Sequence, residues 1–226
     1  MSQSTLTFYF DYISPNAYLA WTQLPALLEK HAIEAKLVPV LFAGLLKEFG
    51  QIGPAEHPAK RSWMAKNIAR KSALLDVPLN PPKHHPFNPL LALRLSSIEM
   101  GTEQQWRLVD AFMQGIWVDG LHPSDESDAR KMVNNAGLSA DELIELANNE
   151  TARNALQDQT SEAITNGVFG IPSVLCRDEL FFGYDDFVYL ELMLDGKDPL
   201  VDSRQTRDWA NAQLKPSAIR KEAPRK

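Results

Sequence analysis

The chain has 226 residues, 44% hydrophobic and 23% charged, which is ordinary for a globular protein with a substantial core. Its net charge of −6 argues against binding nucleic acid through a broad basic surface. The single cysteine, Cys176, excludes an intrachain disulfide and a cysteine-based metal cluster. Because no signal-peptide pattern or membrane-spanning apolar run is visible, we expect a soluble cytoplasmic protein that binds no membrane.

Residues 6–21 predict a β-strand that turns directly into a helix. Positions 6–10 are apolar and favour a strand, and the strand stops at Asp11. Ser14 is a preferred N-cap residue, and Pro15 fits the first helical position, where its missing N–H is not needed. The simplest interpretation of Ser14 is a helix cap. The functional alternative is that the free amides and partial positive charge of the helix N-terminus stabilise an anion, such as a thiolate, beside Ser14.

The rest of the first 166 residues predicts one more strand and many helices. A helix at 15–31, bent at Pro25, leads to a strand at 35–41. Such a strand-helix-strand unit implies a right-handed crossover and parallel strands. Strand signals then disappear, and helices are predicted at roughly 59–75, 89–100, 102–118, 125–135, 139–149 and 151–166. Within this region the predicted caps are Asn88, which precedes Pro89, and Ser139.

Strand patterns return near the end of the chain. Residues 168–175 and 180–183 flank a polar turn and predict a hairpin, and a last helix begins near Asp185. Proline at the start of a strand is unusual unless its peptide bond is cis or the strand is at an edge. We therefore predict a cis bond before Pro172, which would present the backbone of Ile171 to an extended ligand.

The order of elements predicts an α/β protein with a thioredoxin-like fold, β-α-β followed by β-β-α, interrupted by a large all-helical insertion. The predicted thioredoxin-like domain comprises residues 1–45 and 167–200. The helical insertion domain spans 46–166. Residues 201–226 are predicted to form a C-terminal helix and a basic tail, and the tail is interpreted as a solvated terminus.

Four motifs occur in this order on the predicted topology: FYFDYISP at 8–15 with YLA at 18–20; HPFN at 85–88 before LALRL; IWVDG at 116–120; and FGIPSV at 169–174 followed by FG and Asp185. With these motifs the chain resembles the 2-hydroxychromene-2-carboxylate isomerase family. That family is similar to kappa-class glutathione transferases and to DsbA-like thioredoxin-fold proteins. The resemblance covers the chain from Phe8 to about Leu194.

The resemblance implies glutathione as cofactor, with a serine in place of the first cysteine of the redox motif. That serine is Ser14, and the position three residues further on is Ala17. Because this corner holds no thiol, dithiol exchange is excluded there. The hydroxyl can instead donate a hydrogen bond to the glutathione sulfur and, with the helix N-terminus, lower its pKa.

The resemblance also implies further contacts with glutathione. Lys60 would meet a carboxylate, although an exposed helix charge is the alternative interpretation. Asp185 would pair with the glutamyl ammonium, and its alternative is a helix cap. Ile171, before Pro172, would contribute backbone hydrogen bonds to the tripeptide.

Two glutathione-binding candidates depart from the family pattern. Gln51 stands near the glycyl end, where the kappa class has Asn, and Tyr184 stands where a small polar residue is common. The candidates for contact with the acceptor substrate are Tyr12, Trp63, His84, His85, Phe87, Asn88 and Trp117. Aromatic residues at such places are more often core residues than site residues, and His85 could equally cap a helix or lie on the surface.

The function implied by the resemblance is glutathione-dependent isomerisation of 2-hydroxychromene-2-carboxylate to trans-o-hydroxybenzylidenepyruvate, a step in aromatic degradation. A thiolate can add to a conjugated carbon and turn the double bond into a single bond that can rotate. After the rotation the thiolate leaves again. Two alternatives remain: a kappa-like transferase or peroxidase acting on small electrophiles, and a non-enzymatic module that binds glutathione or a peptide. The resemblance also implies a homodimer.

Overall fold

The structure is a computed structural model that describes residues 5–213. These residues divide into two compact units, the first ending at Phe187 and the second beginning at Val188. The first unit contains the sheet and the helical insertion together, and the boundaries predicted at 45/46 and 166/167 stay predictions. The basic tail at 215–226 lies outside the described residues.

Four strands form one mixed sheet in the order β2-β1-β3-β4, with the bounds β1 Thr5–Phe10, β2 Glu34–Pro39, β3 Ser173–Cys176 and β4 Glu179–Phe182. β1 pairs in parallel with β2, as predicted, and antiparallel with β3, which pairs antiparallel with β4. Phe8 lies between Leu37 and Val174 in this register. Because β1 is central, three of its apolar residues, Leu6, Phe8 and Phe10, are fully buried.

Helix α1 spans Pro15–His31 and starts where the sequence predicts. Ser14 is its N-cap, with the Oγ atom accepting a hydrogen bond from the Ala17 amide at 3.2 Å. The helix continues through Pro25 and ends at Ala32 in the left-handed conformation. Its apolar face is buried along its length, so α1 is a fixed support for the corner at Ser14.

Seven further α-helices lie between β2 and β3, with a short 3-10 turn, Pro54–Glu56, after the first of them: α2 Phe42–Glu48, α3 Pro58–Leu75, α4 Leu90–Ser96, α5 Thr102–Trp117, α6 Glu126–Asn135, α7 Ala140–Asn148 and α8 Glu150–Thr165. Helix α2 is absent from the sequence prediction. It has seven residues, contains Gly44, and has no side-chain cap at Leu41, so its local signals are weak. The cap of α4 is Pro89 rather than Asn88, although Asn88 Oδ1 accepts from the Leu90 amide.

The two strands that border this region are shorter in the structure than the sequence predicts. The strand predicted at 168–175 begins only at Ser173. Residues 167–168 instead end α8, because the Val168 amide bonds to the Ala163 carbonyl and Gly167 adopts a positive φ. β2 ends at Pro39 rather than at 41, since the Leu41 amide donates to Thr160 Oγ1 and Leu41 caps α2.

A short 3-10 turn, Tyr184–Asp186, leads into α9, Phe187–Leu194, close to the predicted start of the last helix. The second unit continues with α10, Pro199–Asp202, and α11, Arg204–Gln213, where Asp198 Oδ1 caps α10 by accepting from the Leu200 amide. Over residues 5–213, no helix combines the length and the apolar character needed to cross a membrane.

Candidate active site

The corner between β1 and α1 leaves the hydroxyl proton of Ser14 available. The Ser14 amide donates to the Asp11 carbonyl at 3.1 Å, and Ser14 Oγ accepts from Ala17. Capping therefore uses a lone pair of the hydroxyl and not its proton. The cap and the functional interpretation of Ser14 are compatible, because the same group can accept from the helix and donate to a ligand.

Asp11 is a buried carboxyl group beneath this corner and is 1% exposed. Its Oδ1 accepts from the Ile13 amide and its Oδ2 from the Phe42 amide, both at 3.0 Å. Asp11 thereby ties the corner to the start of α2. Burial raises the pKa of Asp11 to about 7. The two backbone hydrogen bonds lower the pKa, but their effect is smaller than that of burial.

A cavity of about 280 Å³, called here the first cavity, opens beside the N-terminus of α1. Its lining includes five residues that the sequence analysis predicted as binding-site residues: Ser14, Gln51, Lys60, His85 and Ile171. These residues are far apart in sequence and come from the corner, the loop after α2, α3 and two proline-containing loops. The structure therefore brings together most of the predicted glutathione-binding set.

The Ile171–Pro172 peptide is cis, as predicted, and Ile171 lines the first cavity. Pro172 does not line it; its carbonyl accepts from the Gly183 amide at 2.8 Å. The Phe182 ring forms part of the cavity wall directly against Gly170. A Cβ atom at Gly170 would approach Phe182 Cε2 to 2.5 Å, so only glycine fits beneath the ring where it lies.

A second cavity, of about 250 Å³, adjoins the first and shares Pro15, Met64 and His85 with it. Trp117, a predicted acceptor-binding residue, is in its wall. The remaining lining residues are Arg61, Ala65, Ile68, Leu79 and Pro81. An occupant of the second cavity would therefore lie next to Pro15 and close to Ser14.

His85 lies at the junction of the two cavities in a defined orientation. Its Nε2 lies 2.8 Å from the Ile13 carbonyl, which can only accept, so Nε2 carries a proton. The ring packs edge-on against Trp117 and Phe87, at centroid distances of 5.5 and 5.7 Å. Nδ1 has no hydrogen-bond partner among residues 5–213, so it can accept from a ligand.

The two candidates at the start of the last helix do not line either cavity. Asp185 is exposed, and its Oδ2 pairs with Lys71 Nζ at 2.6 Å. Lys71 Nζ also lies 3.4 Å from Oδ1 of Asn16, a residue in the first cavity. Asp185 thus reaches the cavity only through Lys71, while Tyr184 packs against Phe187 at 5.5 Å.

The aromatic candidates divide between wall and core. Tyr12 is fully buried, with its hydroxyl bonded to Ser96 Oγ at 2.6 Å, and Phe87 is 7% exposed. Neither is in the wall of the first or the second cavity, and we assign both to the core. Trp63 is 63% exposed outside both linings.

The polar candidates His84 and Asn88 are exposed and also outside both linings. The Asn88 carbonyl accepts from Ser124 Oγ, and its side chain bonds the start of α4. Asn88 is thus occupied by contacts within the fold.

Sequence reasoning missed Asp11, Phe42 and Arg61. A signal existed for Asp11, because a single acid inside the apolar run FYFDYI is placed where burial is expected. No local signal marks Phe42 or Arg61. In the described part of the chain, no group of three or more His, Cys, Asp or Glu residues could hold a metal ion.

The family model of the DSBA-like thioredoxin domain matches residues 5–195, so the chain belongs to the DsbA-like thioredoxin family. It is 29% identical over 192 residues to a 2-hydroxychromene-2-carboxylate isomerase of Sphingobium xenophagum, covering 84% of this chain and 97% of that protein. It is 25% identical over 206 residues to glutathione S-transferase kappa 1 of Rattus norvegicus, with coverages of 85% and 91%.

A solved 2-hydroxychromene-2-carboxylate isomerase structure matches with a TM-score of 0.79 at 22% identity, covering 92% of this chain and 98% of that one. The family match and this structural likeness confirm the predicted thioredoxin-like fold with its helical insertion. The sequence relatives of the chain are named as enzymes.

Proposed function

We propose that this protein is a glutathione-dependent isomerase that interconverts 2-hydroxychromene-2-carboxylate and trans-o-hydroxybenzylidenepyruvate. The observation that carries this proposal is the first cavity, where Ser14, Gln51, Lys60 and Ile171 meet beside the N-terminus of α1. The similarity to enzymes named as isomerases and as glutathione transferases supports it. The aromatic-degradation role, the cytoplasmic location and a homodimer belong to the same proposal.

The residues of the first cavity fit glutathione chemically. An anionic sulfur needs hydrogen-bond donors and positive potential, which the free proton of Ser14 and the N-terminus of α1 provide. Lys60 would pair with a carboxylate of the tripeptide, and Gln51 and the backbone of Ile171 would bond its amide groups. Outside the cavity, Asp185 Oδ1 would receive the glutamyl ammonium while Oδ2 stays with Lys71.

Bound glutathione would supply a thiolate that adds reversibly to a conjugated carbon, so that the adjacent bond can rotate. Ser14 would hold the sulfur in place, and Asp11 would keep the surrounding backbone in position through Ile13 and Phe42. His85 would accept a hydrogen bond from the acceptor at Nδ1, since Nε2 is already bonded to Ile13.

A second candidate function is a kappa-like transferase or peroxidase, which the similarity to the rat kappa enzyme favours. The same cavity serves both functions, because each begins with an activated glutathione sulfur. They differ in whether glutathione is consumed. A non-enzymatic glutathione-binding module would show neither reaction.

The test is a panel assay with glutathione and three acceptors: the chromene carboxylate, an aryl halide and an organic hydroperoxide. We expect isomerisation of the carboxylate without loss of free thiol, and no isomerisation when glutathione is omitted. If thiol were consumed with the halide or the hydroperoxide and the chromene carboxylate were not isomerised, the protein would be a transferase or a peroxidase instead. Binding of glutathione with no turnover of any acceptor would leave a binding module.

A further inference from the structure

One face of α3 forms a wall of the second cavity. The residues of α3 that line it are spaced i, i+3, i+4 and i+7 and therefore share one side of the helix: Arg61, Met64, Ala65 and Ile68. Trp117, Leu79 and Pro81 enclose the cavity from other parts of the first unit. The cavity is thus apolar on most sides, as small-molecule sites commonly are.

Arg61 introduces a positive charge into this apolar lining. The lining contains no Asp or Glu, and His85 is its only other titratable group. The Arg61 side chain forms no ion pair or hydrogen bond with any residue in the described range 5–213. Guanidinium is a planar fork of donors that matches a carboxylate, so the charge in this cavity is complementary to an organic acid.

The position of the second cavity connects this charge to the proposed reaction. Pro15, Met64 and His85 belong to both linings, and Pro15 directly follows Ser14. Taken together, the two cavities fall within the range of small-molecule sites, roughly 300–1,000 Å³. A ligand with its ring in the second cavity would present its nearer atoms to a sulfur held at Ser14.

We propose that the second cavity binds the acceptor and that Arg61 selects acceptors that carry a carboxylate. The ligand class is a flat aromatic or conjugated acid, with its ring against Trp117 and the apolar face of α3 and its carboxylate paired with Arg61. The inference rests on the proposed function for the reaction, but binding of the acid by Arg61 does not require glutathione.

The first experiment measures binding by calorimetry without glutathione, using 2-naphthoate and its uncharged analogue 2-naphthamide. We expect the wild-type protein to bind naphthoate about tenfold more tightly than the amide, and added salt to reduce this preference. Arg61→Gln should abolish the preference, and Arg61→Lys should restore part of it. Equal binding of the acid and the amide by the wild-type protein would overturn the proposal.

Two control variants on α3 remove the same charge. Arg70 lies nine residues after Arg61, which is half a turn around the helix, and it lines neither cavity. Lys60 lines only the first cavity. Arg70→Gln and Lys60→Gln should both keep the preference for naphthoate over naphthamide. If either control lost this preference as fully as Arg61→Gln, the effect would be one of general charge, and selection by Arg61 would be refuted.

The second experiment separates this inference from the proposed function. In the presence of glutathione, Arg61→Gln should raise KM for the chromene carboxylate about tenfold, whereas Arg70→Gln should leave that KM unchanged. Arg61-dependent binding of naphthoate without any isomerisation would support the acid site and reject the isomerase. Isomerisation with a wild-type KM in Arg61→Gln would support the isomerase and reject the role of Arg61.

Discussion

The two adjoining cavities differ in the origin of their polar groups. In the first, the donors proposed to hold the sulfur come from backbone at the start of α1 and from the capping residue Ser14, with Asp11 holding the neighbouring amides in place; the exposed side chains of Gln51 and Lys60 add to them. In the second, the charge comes from Arg61, the long side chain of an exposed residue. A reacting sulfur benefits from donors that need no rearrangement, whereas selecting a charged acceptor tolerates a flexible partner.

The largest expected effect comes from Ser14→Ala, which removes the hydroxyl donor from the first cavity and leaves the second intact. Turnover near neutral pH should fall roughly ten- to hundredfold, because the pKa of the bound thiol rises when its anion loses a hydrogen bond. Turnover should recover partly at higher pH, as the thiol ionises without help. A pH-rate profile of the isomerisation, normalised to folded protein, measures both effects.

Ser139→Ala is the matched control, because Ser139 caps α7 by accepting from the Glu142 amide. Each variant should lose about 0.5–2 kcal/mol of stability through its cap. Only Ser14→Ala should change the pH profile. An unchanged rate and profile in Ser14→Ala would leave Ser14 as a cap without a catalytic role.

Asp11→Asn tests the buried carboxyl group that supports the first cavity. Because its folded-state pKa is raised from 3.8 to about 7, the carboxyl contributes stability below pH 4 that is lost as pH rises through about 7. A tenfold change in proton affinity is worth about 1.4 kcal/mol, so this pH-dependent part is at most about 4 kcal/mol. Asparagine does not titrate, so the Asp11→Asn variant should not lose this part of the stability as the pH rises.

Urea unfolding of the wild-type protein and of Asp11→Asn, at several pH values from 4 to 8, measures the effect. The variant should be less stable at pH 4, because an amide group cannot accept from both Ile13 and Phe42 in the same way. The difference in the free energy of unfolding between the wild-type protein and the variant should narrow between pH 4 and 7 and then stay constant. Parallel stability curves over that range would contradict the raised pKa.

Gly170→Ala should disturb the wall of the first cavity selectively. The new methyl group would press on the Phe182 ring, and the ring would have to turn. We expect glutathione binding to weaken severalfold, while binding of 2-naphthoate in the second cavity stays unchanged. Gly101→Ala is the control, since its methyl group would meet only Gln104 Oε1 at 3.4 Å. Equal weakening of both ligands in Gly170→Ala would show that the two cavities are not independent.

The smallest effect is expected from Lys71→Met, which breaks the pair with Asp185 outside both cavities. The Lys71 side chain is 12% exposed, but Asp185 is 71% exposed, so solvent screens the pair and its contribution should stay at about 0–1 kcal/mol. Urea unfolding should therefore show a change within that range. A destabilisation well above 1 kcal/mol would mean that this pair supports the fold more strongly than its exposure indicates.

Much of the fold could be predicted because its signals are local. The caps at Ser14 and Ser139 and the strand at 6–10 are specified by neighbouring residues, and the structure has them as predicted. Helix α2 was missed because seven residues without a capping side chain carry little local information. The strand predicted at 168–175 begins only at Ser173, and at its predicted start the Val168 amide is bonded to the end of α8 instead.

By itself, the sequence determined the order of the four strands and of most helices, the corner at Ser14 and the family, since these depend on short motifs and on the order in which they occur. Only the tertiary structure decided that Tyr12 is buried while Trp117 reaches a cavity, and that Asp185 pairs with Lys71, 114 residues away. It also placed Arg61 in an apolar cavity beside His85. Such neighbours depend on packing between distant segments, which no local propensity specifies.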